Sequence, residues 1–289
     1  MTLTRRRLLA IAAAAAAFPG AGHAASWRGR AFGADVAVTL RGRPGQADAA
    51  LREMQAMIRA LEARFSLYDP GSDLSRLNAA GRLEDLHPWM AELLGACGRI
   101  HRLTGGRFDP SIQSLWTSPP GPVGWERALL AGNGIVLAPG QSLTLNGIAQ
   151  GHAADRISAL LAGHGFADTL VDLGEFRASG GPWTLGVADP EQGLLGYRTI
   201  RNGAVATSSP GAMRTADGRT HILDPGNPQA AARWSTVSVE AETATLADGL
   251  STAFCMMDRA EIAAVFDGLP ELRRVTLVSP GGDLETLSG

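Results

Sequence analysis

The sequence predicts an α+β fold with antiparallel sheets and flanking helices. Helix-period and strand-period segments come in blocks rather than in strict βα alternation, which disfavours a doubly wound parallel sheet. No internal repeat or linker divides the 289 residues, and the 45% apolar content supports a sizeable core. Beyond a short leader, the chain therefore reads as one large domain or two intimately packed lobes.

The elements follow in order. Residues 34–40 alternate weakly and predict a strand. Leu51, Met54, Met57, Ile58, Leu61 and Phe65 recur at helical spacing, so 46–65 is an amphipathic helix. Residues 66–78 are polar and read as a loop. Pro88 opens a second helix carrying Leu93, Leu94, Cys97, Ile100 and Leu103, and Gly105-Gly106 stops it. Residues 117–141 are rich in Pro and Gly, a loop with one short strand. A helix over 151–162 buries Ala154, Ile157, Leu160 and Leu161 and ends at Gly163. Strands are predicted at 169–173, 184–188, 198–200, 204–207, 221–223 and 235–240. Helices over 244–257 and 259–267 and a strand over 274–278 close the chain.

The first 24 residues read as an export signal. Arg5, Arg6 and Arg7 precede an apolar stretch from Leu8 to Phe18, and small residues follow through Ala25. The paired arginines before Leu8-Leu9 predict a twin-arginine-like signal, with an Arg-rich Sec signal as the alternative. The apolar stretch falls short of the roughly 20 residues a membrane span needs. With cleavage after Ala24, the expectation is a periplasmic protein, residues 25–289, that is not membrane-embedded.

Losing those three arginines takes the formal net charge from −2 to −5. No basic run follows the leader, which argues against a nucleic-acid partner. Cys97 and Cys255 each lie in an apolar helical pattern and read as buried free thiols rather than a disulfide. The chain contains no lysine; all 26 basic residues are Arg. That excludes a Walker-A lysine, a Schiff-base lysine and a Ser–Lys dyad. G-x-G-x-x-G, G-x-S-x-G and H-E-x-x-H are also missing.

The chemistry sits elsewhere. In Ala247-Asp248-Gly249-Leu250-Ser251-Thr252, a carboxylate and a hydroxyl stand four residues apart at the start of an apolar run. On a helix they share one face, roughly 5–6 Å apart at Cβ. Hard oxygen donors of this kind suit Mg²⁺ better than zinc or copper. The alternative is a first-turn Asp complementing the helix dipole, with Thr252 bonding back to its own helix. Three further segments are turns with chemical potential. Leu145-Asn146-Gly147-Ile148-Ala149-Gln150-Gly151-His152 places two glycines before a helix, where backbone N–H groups can meet phosphate. Gly105-Gly106-Arg107-Phe108-Asp109-Pro110 adds a cation and an aromatic. Thr220-His221-Ile222-Leu223-Asp224-Pro225 ends a predicted strand with a His and an Asp.

In their order along the chain these segments resemble the ApbE family of periplasmic FAD:protein FMN transferases. The resemblance runs through F-S-L-Y-D-P-x-S-x-L-S-x-L-N at 65–78, T-G-G-x-F-D-P-S-I-x-x-L at 104–115 and the 145–156 segment. It continues through L-V-D-L-G at 170–174, A-V-A-T-S at 204–208, H-I-L-D-P at 221–225 and A-D-x-L-S-T at 247–252. N-G-I-A-Q-G and V-D-L-G-E-F-R-A-S-G look closest to the branch of maturation proteins of nitrous-oxide respiration.

The resemblance implies an ApbE-type, T-fold-like architecture and Mg²⁺-dependent transfer of the FMN half of FAD to a Thr or Ser of a partner flavoprotein, releasing AMP. Alternatives are an FAD pyrophosphatase giving FMN and AMP, and a non-catalytic FAD-binding carrier. The implied partner is an acceptor domain of a membrane-associated electron-transfer complex, NosR-like in that branch. By motif position the metal ligands are Asp248, Thr252 and the Gly147 carbonyl. FAD contacts are Phe32, Tyr68, Arg107, Phe108, Asp109, Gln150, His221 and Ile222. Tyr68 and Phe108 read either as stacking platforms or as core plugs. His221 is the candidate base, since an unperturbed His titrates near working pH, with Asp248 as the second catalytic residue. Asp224 either orients His221 or starts the turn before Pro225. The chain departs from the family pattern at Thr144, where an acidic residue is common, at Gln150, where a lysine is common, and at Phe32-Gly33-Ala34.

Overall fold

The computed structural model describes residues 24–42, 47–214, 218 and 220–289. The predicted leader lies outside these residues except for Ala24. β1 (Ala24–Ala31) and β2 (Ala34–Arg41) form a hairpin, followed by α1 (Ala47–Phe65), α2 (Asp73–Ala80), β3 (Arg82–Leu83) and α3 (Pro88–Leu103). Two 3₁₀ turns lead to β4 (Leu129–Ala131) and β5 (Gly134–Val136). Next come α4 (Ala149–Gly163), β6 (Asp168–Asp172), β7 (Phe176–Ser179), β8 (Trp183–Asp189), β9 (Gly193–Ile200) and β10 (Gly203–Ser208). The chain ends with β11 (Thr236–Ala241), α5 (Ala244–Phe254), α6 (Arg259–Asp267), β12 (Leu272–Val278) and β13 (Leu284–Ser288).

Eight strands form one sheet in the order β1-β2-β6-β7-β10-β11-β12-β13, and every pairing in it is antiparallel. The predicted α+β class is therefore the observed one. The period of two along each strand divides the side chains between two cores. On β6, Val171 joins the main core and Leu170 a second cluster; on β10, Ala204 and Ala206 face the main core and Val205 the second. The main core lies beneath the helices, with Met54, Leu61, Leu93, Ile157 and Leu250 fully buried. The second cluster joins the other face of the sheet to the β8–β9 hairpin through Phe176, Trp183, Leu185 and Ile200. Each such side chain, fully buried, contributes roughly 1.5–3 kcal/mol.

Several expectations differ from the structure, and the segment over 117–141 holds two short strands, β4 and β5, rather than one. The polar loop over 66–78 ends at Ser72, where α2 begins. The Ser72 hydroxyl accepts the Ser75 N–H at 3.0 Å as an N-cap, and left-handed Gly81 closes the helix. The predicted strand over 221–223 is an irregular strap; among the described residues of its neighbourhood only an isolated bridge pairs Thr220 with Arg214. Asp248 is not a first-turn residue, because α5 starts at Ala244, capped by Thr243. Cys97 and Cys255 are buried free thiols. No helix among the described residues is long and apolar enough to cross a membrane.

Candidate functional site

α4 and α5 cap each other, and the site grows from that arrangement. Asp155 of α4 accepts the Ala244 and Thr245 N–H groups at 2.9 and 2.8 Å, closing the N-terminus of α5. Asp248 of α5 accepts the N–H of Gly151, in the first turn of α4, at 2.9 Å. Each carboxylate takes an otherwise orphaned helix N–H and lies at the positive end of the other helix. The helices are close enough for this only because residue 151 is glycine: a Cβ there would stand 2.2 Å from the Ala244 carbonyl oxygen and 2.8 Å from Asp248 Cβ.

One turn beyond Asp248, Thr252 Oγ1 donates to the Gly147 carbonyl at 3.5 Å. Ser208 Oγ, at the end of β10, lies 3.4 Å from Thr252 Oγ1 and 2.8 Å from Ser251 Oγ. A Cβ on Gly147 would sit 2.9 Å from Thr252 Oγ1, so this position also demands a bare backbone. Gly147 and Thr252 thus bring a carbonyl and a hydroxyl together, one turn along α5 from the Asp248 carboxylate. Among the described residues, Asp248 Oδ1 accepts no hydrogen bond.

The α4–α5 junction is strongly acidic. Burial pushes the Asp248 carboxyl up to about 7, aided by the charge of Asp155 and opposed by the Gly151 N–H. Glu175, buried just before β7, is held well above the usual carboxylate range by desolvation and then by Asp248, despite accepting the Thr207 N–H at 3.0 Å. Asp172 is pushed up to about 6, again mainly by burial. Three neighbouring acids that resist ionisation mark a place where a cation would be welcomed. Glu175 stands in the V-D-L-G-E-F motif, yet nothing in the local sequence says that its carboxyl folds inward toward Asp248.

His221 is half-buried on the strap. Its Nδ1 faces the Met213 carbonyl at 3.1 Å, an acceptor that favours the tautomer protonated at Nδ1. Burial lowers the pKa of the ring, partly offset by that carbonyl and by Pro210. Thr220 and Leu223 on the same strap line a cavity of about 420 Å³ with Pro210, Trp234 and Ser235. Asp224 does not orient His221. Its carboxylate pairs with Arg107, whose other terminal nitrogen meets Glu261 Oε1 at 3.1 Å.

The other predicted flavin contacts divide by exposure. Tyr68 is 68% exposed, while Phe108 is a core residue at 5% and Ile222 is buried. Of the two readings for each aromatic, Phe108 takes the core plug. Asp109 builds its own turn, accepting from Ser111 N at 2.8 Å and Trp125 N at 2.9 Å. His101, Asp109 and Glu126 also converge, but His101 Nδ1 is spent on the Phe108 carbonyl at 2.9 Å. Phe32 has a left-handed backbone (φ 49°), and its N–H is held by Glu62 Oε1 at 2.8 Å. Gln150 donates to the Leu173 carbonyl at 2.5 Å, tying the start of α4 to the end of β6.

Comparison with known proteins bears on the family and the architecture. The family model described as ApbE family matches residues 32–275. The FAD:protein FMN transferase of Chlamydia muridarum (strain MoPn / Nigg) is 27% identical over 241 residues, 71% of this chain and 74% of that protein. The crystal structure of the ApbE protein from Thermotoga maritima superposes with a TM-score of 0.80 at 25% identity, over 91% of this chain and 96% of that one. The flavin transferase ApbE from Vibrio cholerae gives 0.79 at 20% identity, over 92% and 97%. A family match across most of the chain, joined to the same architecture, leads to one conclusion: this chain belongs to the ApbE family.

Proposed function

We propose that this protein is an FAD:protein FMN transferase, an enzyme that moves the FMN half of FAD onto a Thr or Ser hydroxyl of a partner flavoprotein and releases AMP. The observation that carries the reading is the oxygen corner of Gly147, Asp248 and Thr252 at the α4–α5 junction. Its donor set fits Mg²⁺: three hard oxygens of three kinds, a glycine whose missing side chain leaves room, and buried carboxyls short of positive charge. These three residues would hold the ion, and when bound it would offset the charge of the FAD pyrophosphate.

The chain's own groups do the rest. His221 Nε2 accepts the proton of the acceptor hydroxyl as its oxygen bonds to the FMN phosphorus. The bond from that phosphorus to the bridging oxygen breaks, and AMP leaves with the oxygen. The Met213 carbonyl keeps the imidazole in the tautomer this requires. Gln150 lies in the first turn of α4, where backbone N–H groups would receive the pyrophosphate, and the exposed ring of Tyr68 would stack on the flavin or adenine. Phe32, Asp109 and Ile222 shape the walls of the FAD site.

We place the mature protein in the periplasm on the strength of its first 24 residues, where an exported domain would serve a membrane-associated electron-transfer complex. The activity is tested by incubating the purified protein with FAD and Mg²⁺, with and without a candidate acceptor domain, and following AMP and free FMN. AMP that appears together with flavin bound to the acceptor supports transfer. AMP and free FMN in equal amounts without acceptor indicate a pyrophosphatase. No AMP under either condition leaves a carrier.

A further inference from the structure

The resemblance places Arg107 among the FAD contacts, but both terminal nitrogens of its guanidinium meet carboxylates of this chain. One terminal nitrogen pairs with Asp224, a buried carboxylate, and the other with Glu261 Oε1 at 3.1 Å. Two carboxylates against one cation leave the group locally negative, a poor partner for pyrophosphate. Each of these partners also organises an element of its own. Glu261 Oε2 accepts the Asp258 N–H at 2.7 Å, and Asp258 Oδ1 accepts the Glu261 N–H at 2.9 Å, the capping box of α6. Asp224 Oδ1 accepts the Gly226 N–H at 2.8 Å, turning the chain directly after His221–Leu223. Arg107 itself is fixed by the turn after α3, where Thr104 Oγ1 accepts the Phe108 N–H at 3.1 Å.

Arg107 is therefore the junction of three segments. Among the described residues, the strap at 221–225 has no strand pairing to hold it. Among the described residues, its polar links reaching beyond 210–229 all pass through Arg107. From this geometry we infer that Arg107 is a positioning residue: its bridge to Asp224 and Glu261 sets the strap that aims His221 at the acceptor hydroxyl. The inference rests on the reading of His221 as the base. A planar guanidinium suits the role because it serves two carboxylates at fixed angles, whereas an ammonium would serve them as a mobile point charge.

The test compares Arg107→Gln, Glu261→Gln and His221→Asn, alone and as the Arg107→Gln/His221→Asn pair. Each is assayed for kcat, for FAD affinity by quenching of flavin fluorescence, and for thermal stability. Arg107→Gln is expected to lower kcat by about tenfold or more, with FAD affinity within about twofold of the parent, and to move the acid limb of the kcat–pH profile. Glu261→Gln, at the half-exposed end of the bridge, repeats the pattern more weakly and covers the case in which Arg107→Gln does not fold. In the His221→Asn background, removing Arg107 should cost nothing further, because both changes disable one device. An FAD affinity lowered about tenfold with kcat intact would make Arg107 a flavin ligand and overturn the inference, as would independent, multiplicative losses in the pair. Full activity in His221→Asn alone would instead overturn the base assignment, whatever Arg107 does.

Discussion

Asp248 Oδ2 and the Gly151 N–H are 2.9 Å apart, and this bond makes one carboxylate serve two structures. It caps α4, and it orients the Asp248 carboxylate on α5, the helix that also carries Thr252 one turn further on. A ligand held by a partner outside the coordination shell is pre-aimed and loses little freedom on binding. Asp155, capping α5 from the other side, locks the pair of helices in the same register.

Separating the two duties calls for two substitutions. Asp248→Asn keeps a side-chain oxygen for the Gly151 N–H and removes a buried charge, so its Tm should equal or exceed that of the parent. Asp248→Ala loses the cap, a cost of about 0.5–2 kcal/mol. Both should lose Mg²⁺-dependent AMP release. Thermal melts beside the activity assay check the split, and an active Asp248→Ala variant would refute the metal assignment.

The raised carboxyl sets a pH dependence whose sign is definite. Asp248 rises from an ordinary 3.8 to about 7 in the folded protein. Between those values the native state holds a proton that the unfolded state has lost, so metal-free stability should fall as pH rises from about 4 to about 7. Glu175, also raised, acts in the same direction. Mg²⁺ must displace that proton, so its affinity should weaken as pH drops below about 7. Melts from acid to neutral pH, with and without Mg²⁺, measure both effects, and Asp248→Asn should flatten the metal-free slope.

Gly151→Ala should be among the most damaging single-methyl additions in the chain. Its Cβ would meet the Ala244 carbonyl oxygen at 2.2 Å, a backbone atom that cannot swing aside. A loss of about 1–3 kcal/mol is expected from overpacking. The rise in Tm on adding Mg²⁺ should shrink with it, since α4 and α5 must part. A variant with parental stability and an undiminished Mg²⁺ shift would show that the close approach is dispensable.

His221→Asn should reduce transfer by about 10²–10⁴-fold while FAD binding persists. Because burial lowers the pKa of the imidazole, the acid limb of the parent's rate profile should lie below the ordinary 6.5. Single-turnover rates across pH with saturating FAD provide the check.

The parts of this structure legible in the sequence are those set by local periodicity. α1, α3 and α4 appear where Leu, Ile and Met recur every three or four residues, with Pro88 and Gly105-Gly106 punctuating α3. α2 hid inside a polar run, because its start depends on a single hydroxyl, Ser72, and its buried face on only Leu74 and Leu77. β1 is not legible in the sequence, because its Ser-Trp-Arg-Gly-Arg run, at the edge of the sheet, alternates only weakly in polarity. At the site, Asp248 and Thr252 stand out as an oxygen pair at helical spacing, and Gly147 enters through the family resemblance. The Asp248–Gly151 cap, the inward turn of Glu175 and the Arg107–Asp224 bridge join segments distant along the chain, and no local pattern encodes such pairings.

The central claim, flavin transfer from a metal corner built on Asp248, is tested most directly by intact-mass measurement of an acceptor domain. The domain is incubated with FAD, Mg²⁺ and either the parent protein or Asp248→Ala. Transfer predicts that the acceptor gains one covalently bound FMN with the parent and none with the variant. An acceptor modified equally by both, or FAD cleaved with the acceptor left unmodified, would contradict it.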